Sequence, residues 1–426
     1  MKFCKRKICQ ALSLVAAGLS TTTAMAAAPI IQGGGASLVT PLIDAEIAQF
    51  STSLGSITYF SVGSSAGESA FLLNQPTFFG VTVTGTVDFA NSDAALLASQ
   101  ISYYNALAGT TNGPLIQIPY LVTAITIPVV NAPFVTSTTT PQTAPNQAHS
   151  IALNDNDLCG IFSGKLTNWN QVVNPEIGTT YPANAPITVI YRVDGAGTTE
   201  LLMRHLAQVC TTGAGGNSNV SFIDSTTFLD SFPSGPPSNF VSAYLEKGVR
   251  TQLTSAAGAA VAYLGPAYTN TYIAPTSSVV TSGGAAQLPL ASLLNAHDGV
   301  YYAPAYANAT RAVGPILPPG TRAQAANPLN WVPNTGNPTS GYPVSGTSQI
   351  IVSQCYQNPA VTQALEVFLN AHYSSAAFAA LVHGNGFDTV PAAYLSAIQS
   401  MFLNNSLNFN LNLGNSTVCS GTVIGR

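Results

Sequence analysis

Short runs of β-branched and aromatic residues alternate along this chain with segments of helical period. The runs Ile57–Val62, Val87–Ala90, Leu115–Pro119, Ile125–Val130, Ile187–Tyr191 and Gln349–Val352 predict strands. Pro41–Phe50, Thr198–Val209 and Val361–Ala371 predict helices. In the first helix Leu42, Ile43, Ile47 and Phe50 share one face, and Pro41 suits a first turn, where its missing N–H removes no helical bond. Leu201, Leu202, Leu206 and Val209 form the matching stripe of the second. This alternation predicts an α/β protein with largely parallel sheets. Roughly 400 residues exceed what one core organises, so two lobes are expected. Thr136–Gln147 and Pro315–Gly346, rich in Pro, Thr, Asn and Gly, predict loops or insertions. No repeat of short period appears.

The first residues have a different pattern. Lys2, Lys5, Arg6 and Lys7 precede a short apolar run from Ile8 to Leu19, and Ala24-Met25-Ala26 supplies a small-x-small cleavage signal. The apolar run is shorter than the about 20 residues that span a bilayer. The expectation is an export signal over residues 1–26, cleaved to leave a soluble protein in the periplasm or outside the cell. Cys4 and Cys9 are not at the cleavage site, so no lipid anchor is implied. Mean hydropathy is high at +0.27, but the most apolar later stretch, Leu121 to Val135, is broken by Thr, Asn and Pro and predicts buried strand rather than a membrane span.

Only 7% of residues are charged, against about 25% in ordinary domains. Loss of the signal removes four of 12 basic residues and leaves eight against 16 acids, a balance near −8. A nucleic-acid partner needs a basic footprint, which this chain lacks. An anionic ligand would gain no long-range steering here, so local dipoles and a few placed cations would have to hold it. Four cysteines remain after export: Cys159, Cys210, Cys355 and Cys419. In an oxidising compartment they allow two disulfides in three pairings. Pairing nearest neighbours puts one bridge in each half of the chain. Their spacing does not suit a zinc site, and no cofactor or metal is expected.

Four strand-to-loop transitions share a character. They are Gly33-Gly34-Gly35-Ala36-Ser37-Leu38, Gly63-Ser64-Ser65-Ala66-Gly67, Ala90-Asn91-Ser92-Asp93, and Arg192-Val193-Asp194-Gly195-Ala196-Gly197-Thr198-Thr199. A helix N-terminus presents unpaired N–H groups and partial positive charge. Glycine admits close approach of the backbone, and Ser and Thr add hydroxyl donors. Together these residues make a cradle for an oxyanion. Arg192 adds a fork suited to phosphate, and can also pair with Asp194. Neither GxGxxG nor GxxxxGK[ST] is present, so nucleotide-binding folds gain no support.

At these loops the sequence resembles the phosphate-binding proteins of bacterial phosphate ABC importers, and most of all their secreted relatives, the DING proteins. The likeness runs from about Ile31 to the C-terminus. It includes Cys159-Gly160-Ile161-Phe162-Ser163-Gly164-Lys165 with Asn168-Trp169, Asn327 to Pro333, and Ser340-Gly341-Tyr342-Pro343. The resemblance implies a two-lobed periplasmic-binding-protein fold of type II, the Venus flytrap, with crossing hinge strands. Lobe I would comprise residues 27–122 and 340–426, and lobe II residues 123–339. Phosphate would sit in the cleft of a monomer that an ABC permease could receive. The implied ligands are Ser37, the Leu38 backbone, Ser64, Asp93, Arg192, Gly197 and Thr198. The family has Ser where this chain has Ala196. The backbone N–H survives there, but a hydroxyl donor is lost, worth about 1–3 kcal/mol if an oxygen goes unpaired, unless Thr199 or water replaces it.

Asp93 carries the specificity in this reading. An ionised carboxylate only accepts hydrogen bonds; phosphate near neutral pH has a proton to give and sulfate has none. Asp93 could instead cap a following helix. Rival functions use some of the same residues. Gly63-Ser64-Ser65-Ala66-Gly67 fits G-x-S-x-G, with Ser65 as nucleophile and Asp298 with His372 or His383 completing a triad. A secreted phosphomonoesterase in the same cleft, or a binder of another oxyanion, are further alternatives.

Overall fold

The computed structural model describes residues 28–426; the predicted export segment, with Cys4 and Cys9, lies outside the described residues. The framework follows the predicted alternation. β1 (Ile30–Gly35) leads to α1 (Thr40–Gln49), and β2 (Ser56–Ser61) to α2 (Ser64–Leu73). β3 (Phe89–Ser92), β4 (Leu115–Ala124) and β5 (Val129–Val130) follow. Later come β6 (Thr188–Arg192), α3 (Gly197–Val209), β7 (Phe240–Ala243), α4 (Leu245–Ser255) and β8 (Ala260–Ala262). β9 (Ser345–Ser353) and α5 (Pro359–Ser374) close the series.

Two main sheets with their flanking helices make two lobes. One has strand order β2-β1-β3-β9-β4, the other β7-β6-β8-β5. β1 runs parallel to β2 and β3, and β6 parallel to β7 and β8. The expectation of largely parallel sheets needs correcting, however. β9 is antiparallel to both β3 and β4, and β5 is antiparallel to β8. The chain path explains this. β4 leaves the first sheet at Ala124 and the chain re-enters order as β5 in the second, whereas β9 returns in the opposite sense. Ala124 pairs with Ser345, and the Ile125 N–H donates to the Val344 carbonyl at 2.8 Å. The predicted strand Ile125–Val130 is therefore mostly the crossing itself. Only its last two residues join a ladder, while Thr126 and Pro128 make single bridges to Leu264 and Leu290.

The apolar stripes pack as their spacing predicts. Leu42 and Ile43 of α1 and Leu201, Leu202 and Leu206 of α3 are buried, with Ile47, Phe50 and Val209 half-buried against them. Glu46, on the same side of α1, is fully buried as well. Its carboxylate takes the Tyr120 hydroxyl on one oxygen and His372 Nδ1 at 2.9 Å on the other. His372 Nε2 faces the Tyr120 carbonyl at 2.6 Å, and the two rings stack at 3.6 Å. A buried charge needs such pairing. The set ties α1 to β4 and α5, and so fixes the helix whose N-terminus carries the first Gly-rich loop.

The cysteines pair as Cys159–Cys210 and Cys355–Cys419, with sequence separations of 51 and 64. The first bridge joins the helix Asp155–Phe162 to the residue that ends α3, and the second joins the segment after β9 to the C-terminal stretch. Loops of this size restrict the unfolded chain by about 4 kcal/mol per bridge. Reduction in denaturant should therefore lower the thermal midpoint of the refolded protein sharply. Because Cys159 and Cys355 are fully buried, the native protein should resist the same reductant; thiol titration with and without denaturant measures both effects.

Candidate functional site

The four loops converge where the lobes face each other. β1 ends at Gly35, and the chain turns through Ser37 and Leu38 into α1. Ser37 is buried; its carbonyl accepts the Tyr268 hydroxyl at 2.9 Å, and its Oγ accepts the N–H of Glu246 at 3.2 Å. α2 opens at Ser64 after Gly63, whose φ of 93° is a conformation that favours glycine. Ser64 Oγ accepts the Asp93 N–H at 3.3 Å from its own lobe and the Gly197 N–H at 3.0 Å from the opposite one. Gly197 is the first residue of α3, and a Cβ there would lie 2.5 Å from the Asp93 Cβ. Only glycine lets these loops approach so closely.

Arg192 ends β6 and is almost fully buried. Its Nε donates to Asp194 Oδ1 at 2.8 Å, its Nη2 pairs with Asp194 Oδ2, and its Nη1 reaches Glu246 Oε1 at 2.6 Å. Burial works against the charge, but Asp194 and Glu246 outweigh it and hold the guanidinium above its ordinary pKa. The Thr198 hydroxyl also donates to Glu246 Oε1, at 2.7 Å. Thr199 does not replace the hydroxyl missing at 196. Its Oγ1 pairs with the Tyr263 hydroxyl at 2.9 Å, and that hydroxyl accepts the Arg192 N–H at 2.9 Å. Nor is the Ala196 N–H free for a ligand, because it donates to the Thr226 carbonyl at 2.9 Å.

Asp93 lies at the end of β3, buried, with Oδ1 lacking any hydrogen-bond partner. Burial pushes its carboxyl up to about 7; Glu246 reinforces the rise and the Arg192 charge pulls the other way. Asp93 caps no helix. The next one, Ala98–Ala106, starts after Leu97, and the Ala94 N–H is taken by Ser92 Oγ at 3.0 Å. Behind Asp93, Glu68 accepts Ser92 Oγ at 2.5 Å and Gln100 Nε2 at 3.1 Å. Burial pushes Glu68 up to about 7, and burial does the same to Glu200 on α3 despite its pairing with Arg204.

Sequence reasoning missed Glu246, Tyr263, Tyr268 and Glu68. Ala243-Tyr244-Leu245-Glu246 is another strand-to-helix junction, but it lacks the Gly and Ser that marked the other four. The alternative triad does not assemble. The Ser65 hydroxyl donates to Thr226 at 3.1 Å, Asp298 bonds to Tyr302 at 2.7 Å, His372 is held by Glu46, and His383 by Asp388 at 2.8 Å. Among the described residues no group of three or more His, Cys, Asp or Glu is placed to hold a metal, and no helix is long and apolar enough to cross a membrane.

A family model described as a PBP superfamily domain matches residues 20–375. Among known proteins, "Alkaline phosphatase L" of Pseudomonas aeruginosa is 32% identical over 412 residues, covering 96% of this chain and 98% of that protein. A "Phosphate-binding protein" from an unknown prokaryotic organism is 32% identical over 405 residues, covering 92% and 98%. Among solved structures, a high-affinity periplasmic phosphate-binding protein (PfluDING), determined with phosphate bound, aligns with a TM-score of 0.74 and 30% identity over 93% of this chain and 99% of that one.

The raised carboxyls around the site set a pH dependence. Asp93, Glu68 and Glu200 each bind a proton more tightly in the folded protein, to about 7, than in the unfolded chain, near 4. Folding therefore takes up protons between those values. The stability they contribute is complete below about pH 4 and is lost as pH rises through about 7. The thermal midpoint of the ligand-free protein should fall between pH 5 and 8, and Glu68→Gln should flatten that slope. A midpoint that rises over the same range would show that these carboxyls are not held protonated by burial.

Proposed function

The chain belongs to the PBP superfamily, and from that premise we propose that it is an exported protein that captures inorganic phosphate between its two lobes and releases it unchanged. The observation that carries the proposal is the contact across the cleft. Ser64 of one lobe meets the N-terminus of α3 from the other at 3.0 Å, next to a buried Asp93 whose Oδ1 has no hydrogen-bond partner. In this reading Ser37, the Leu38 backbone and Ser64 donate to phosphate from lobe I, and Arg192, Gly197 and Thr198 from lobe II. Asp93 accepts the proton that phosphate carries. Lobe I takes residues 27–122 and 340–426 and lobe II residues 123–339, so β4 and β9 form the hinge. Closure takes the anion out of water and orders both sets of donors.

The names of the relatives point to two activities, binding and phosphatase. Binding is favoured because the groups a hydrolase would use are engaged elsewhere: Ser65 with Thr226, and both candidate histidines with carboxylates of their own. Two disulfides and the N-terminal signal pattern support a periplasmic or extracellular location. In the periplasm the closed form would deliver phosphate to an ABC permease; outside the cell it would scavenge it.

Calorimetric titration of the mature protein, stripped of bound phosphate, is the test. One phosphate should bind per chain. Sulfate should be rejected by several orders of magnitude at pH 8, where Asp93 is ionised and its oxygen would face an acceptor. Toward pH 5.5 a protonated Asp93 can donate, so sulfate binding should strengthen. Asp93→Asn should cost phosphate affinity about 1–3 kcal/mol and remove the pH dependence of sulfate rejection. Equal affinities of wild type and variant for both anions would end the role given to Asp93.

A further inference from the structure

Glu246 stands among the groups assigned above to the anion, although it belongs to none of the Gly-rich loops. It is fully buried. Oε1 accepts Arg192 Nη1 at 2.6 Å and the Thr198 hydroxyl at 2.7 Å; Oε2 accepts the Gly265 N–H at 2.7 Å. Its own N–H donates to Ser37 Oγ at 3.2 Å. Gly265 packs on Leu38, where an added Cβ would come within 3.0 Å of Cγ. A carboxylate gripped by a guanidinium, a threonine hydroxyl and a backbone N–H has the ligand set of a bound oxyanion.

We infer that Glu246 is an internal counter-anion that occupies Arg192 and Thr198 in the ligand-free protein and that phosphate binds by displacing its Oε1. The inference rests on the phosphate-binding reading. Thr198 has one hydroxyl hydrogen, so it cannot serve Glu246 and phosphate together. Arg192 stays fixed to Asp194 through Nε and Nη2, so exchange at Nη1 leaves the guanidinium in place. Two anions on one buried cation repel strongly at short range. The backbone before Glu246 is held in an unusual state. Leu245 has φ of 58°, which is disfavoured for a residue with a Cβ, and its N–H is tied to Asp194 at 3.0 Å. The same Asp194 that fixes Arg192 thus also fixes the start of the helix that presents Glu246. The device lowers affinity for phosphate. It also excludes anions that are too weak to displace a carboxylate.

The test compares phosphate titration of the mature wild-type protein with that of Glu246→Gln, each stripped of phosphate and checked for folding by circular dichroism. Glutamine keeps the shape and loses the charge. Phosphate should bind the variant roughly tenfold tighter or more. If Glu246 only orients Arg192, the variant binds phosphate equally or more weakly, and the inference is overturned while the phosphate reading stands. A variant that binds beside a wild type that does not would support the counter-anion in its strongest form. Two folded proteins that both ignore phosphate would overturn the phosphate reading and this inference with it. Glu246→Asp, which draws the carboxylate back by one methylene, covers a glutamine variant that fails to fold. A smaller gain in affinity is expected there, and a loss overturns the inference.

Discussion

Arg192 is buried between two carboxylates, and that arrangement constrains everything else in the cleft. Its Nε and Nη2 hold Asp194 and its Nη1 holds Glu246. Before any ligand is considered, one cation is matched by two anions, with Asp93 near them. A site of this kind cannot attract an anion by net charge. What remains is geometry: N–H groups at the start of α3, hydroxyls at the starts of α1 and α2, and the outer hydrogens of a guanidinium that its partners keep from turning. Donors fixed in a buried place are worth more than the same donors in water. Fixing them is what the carboxylates accomplish. The low charge of the chain, with 7% of its residues charged, agrees with this arrangement.

The crossing strands place these donors on two bodies. β4 goes out and β9 comes back, paired along their length. β9 also lies against β3, so the strand that leads into Asp93 is the direct neighbour of one of the two crossing strands. α1, which follows Ser37, is braced toward its far end by the buried Glu46–His372 pair.

Much of this was legible in the sequence because helix starts and glycines leave local marks. Ser37, Ser64, Asp93, Arg192, Gly197 and Thr198 each sit at a strand end or helix start that the pattern identified, and the structure brings them to one cleft. Sheet polarity was not legible. Periodicity reports burial and says nothing of direction, and in the two main sheets the strands that broke the parallel expectation are those at or next to the crossing between lobes. Glu46, Glu68 and Glu246 were missed for a related reason. A glutamate in a helix reads as a solvated residue until a partner from a distant part of the chain covers it, as His372, Ser92 and Arg192 do here.

Ala196 shows where motif reasoning stops. From the sequence, the change from Ser removes a hydroxyl and leaves a backbone N–H for the ligand. In the fold that N–H already serves the Thr226 carbonyl, and the neighbouring Thr199 hydroxyl serves Tyr263. Position 196 therefore offers an anion neither donor. The uncommitted capacity is the Leu38 N–H, the hydroxyl hydrogens of Ser37 and Ser64, and the second hydrogen on each terminal nitrogen of Arg192, whereas the Thr198 hydroxyl and the Gly197 N–H have protein acceptors of their own at Glu246 and Ser64. A ligand must exchange with Glu246 and Ser64 to reach the Thr198 hydroxyl and the Gly197 N–H, whereas the Ser37 and Ser64 hydroxyls, which only accept N–H groups, still have a hydrogen to give. In the proposed reading the strength of binding then depends on how firmly two side chains, Ser64 and Glu246, hold what they have, and specificity on the buried Asp93 carboxyl, whose Oδ1 has no hydrogen-bond partner.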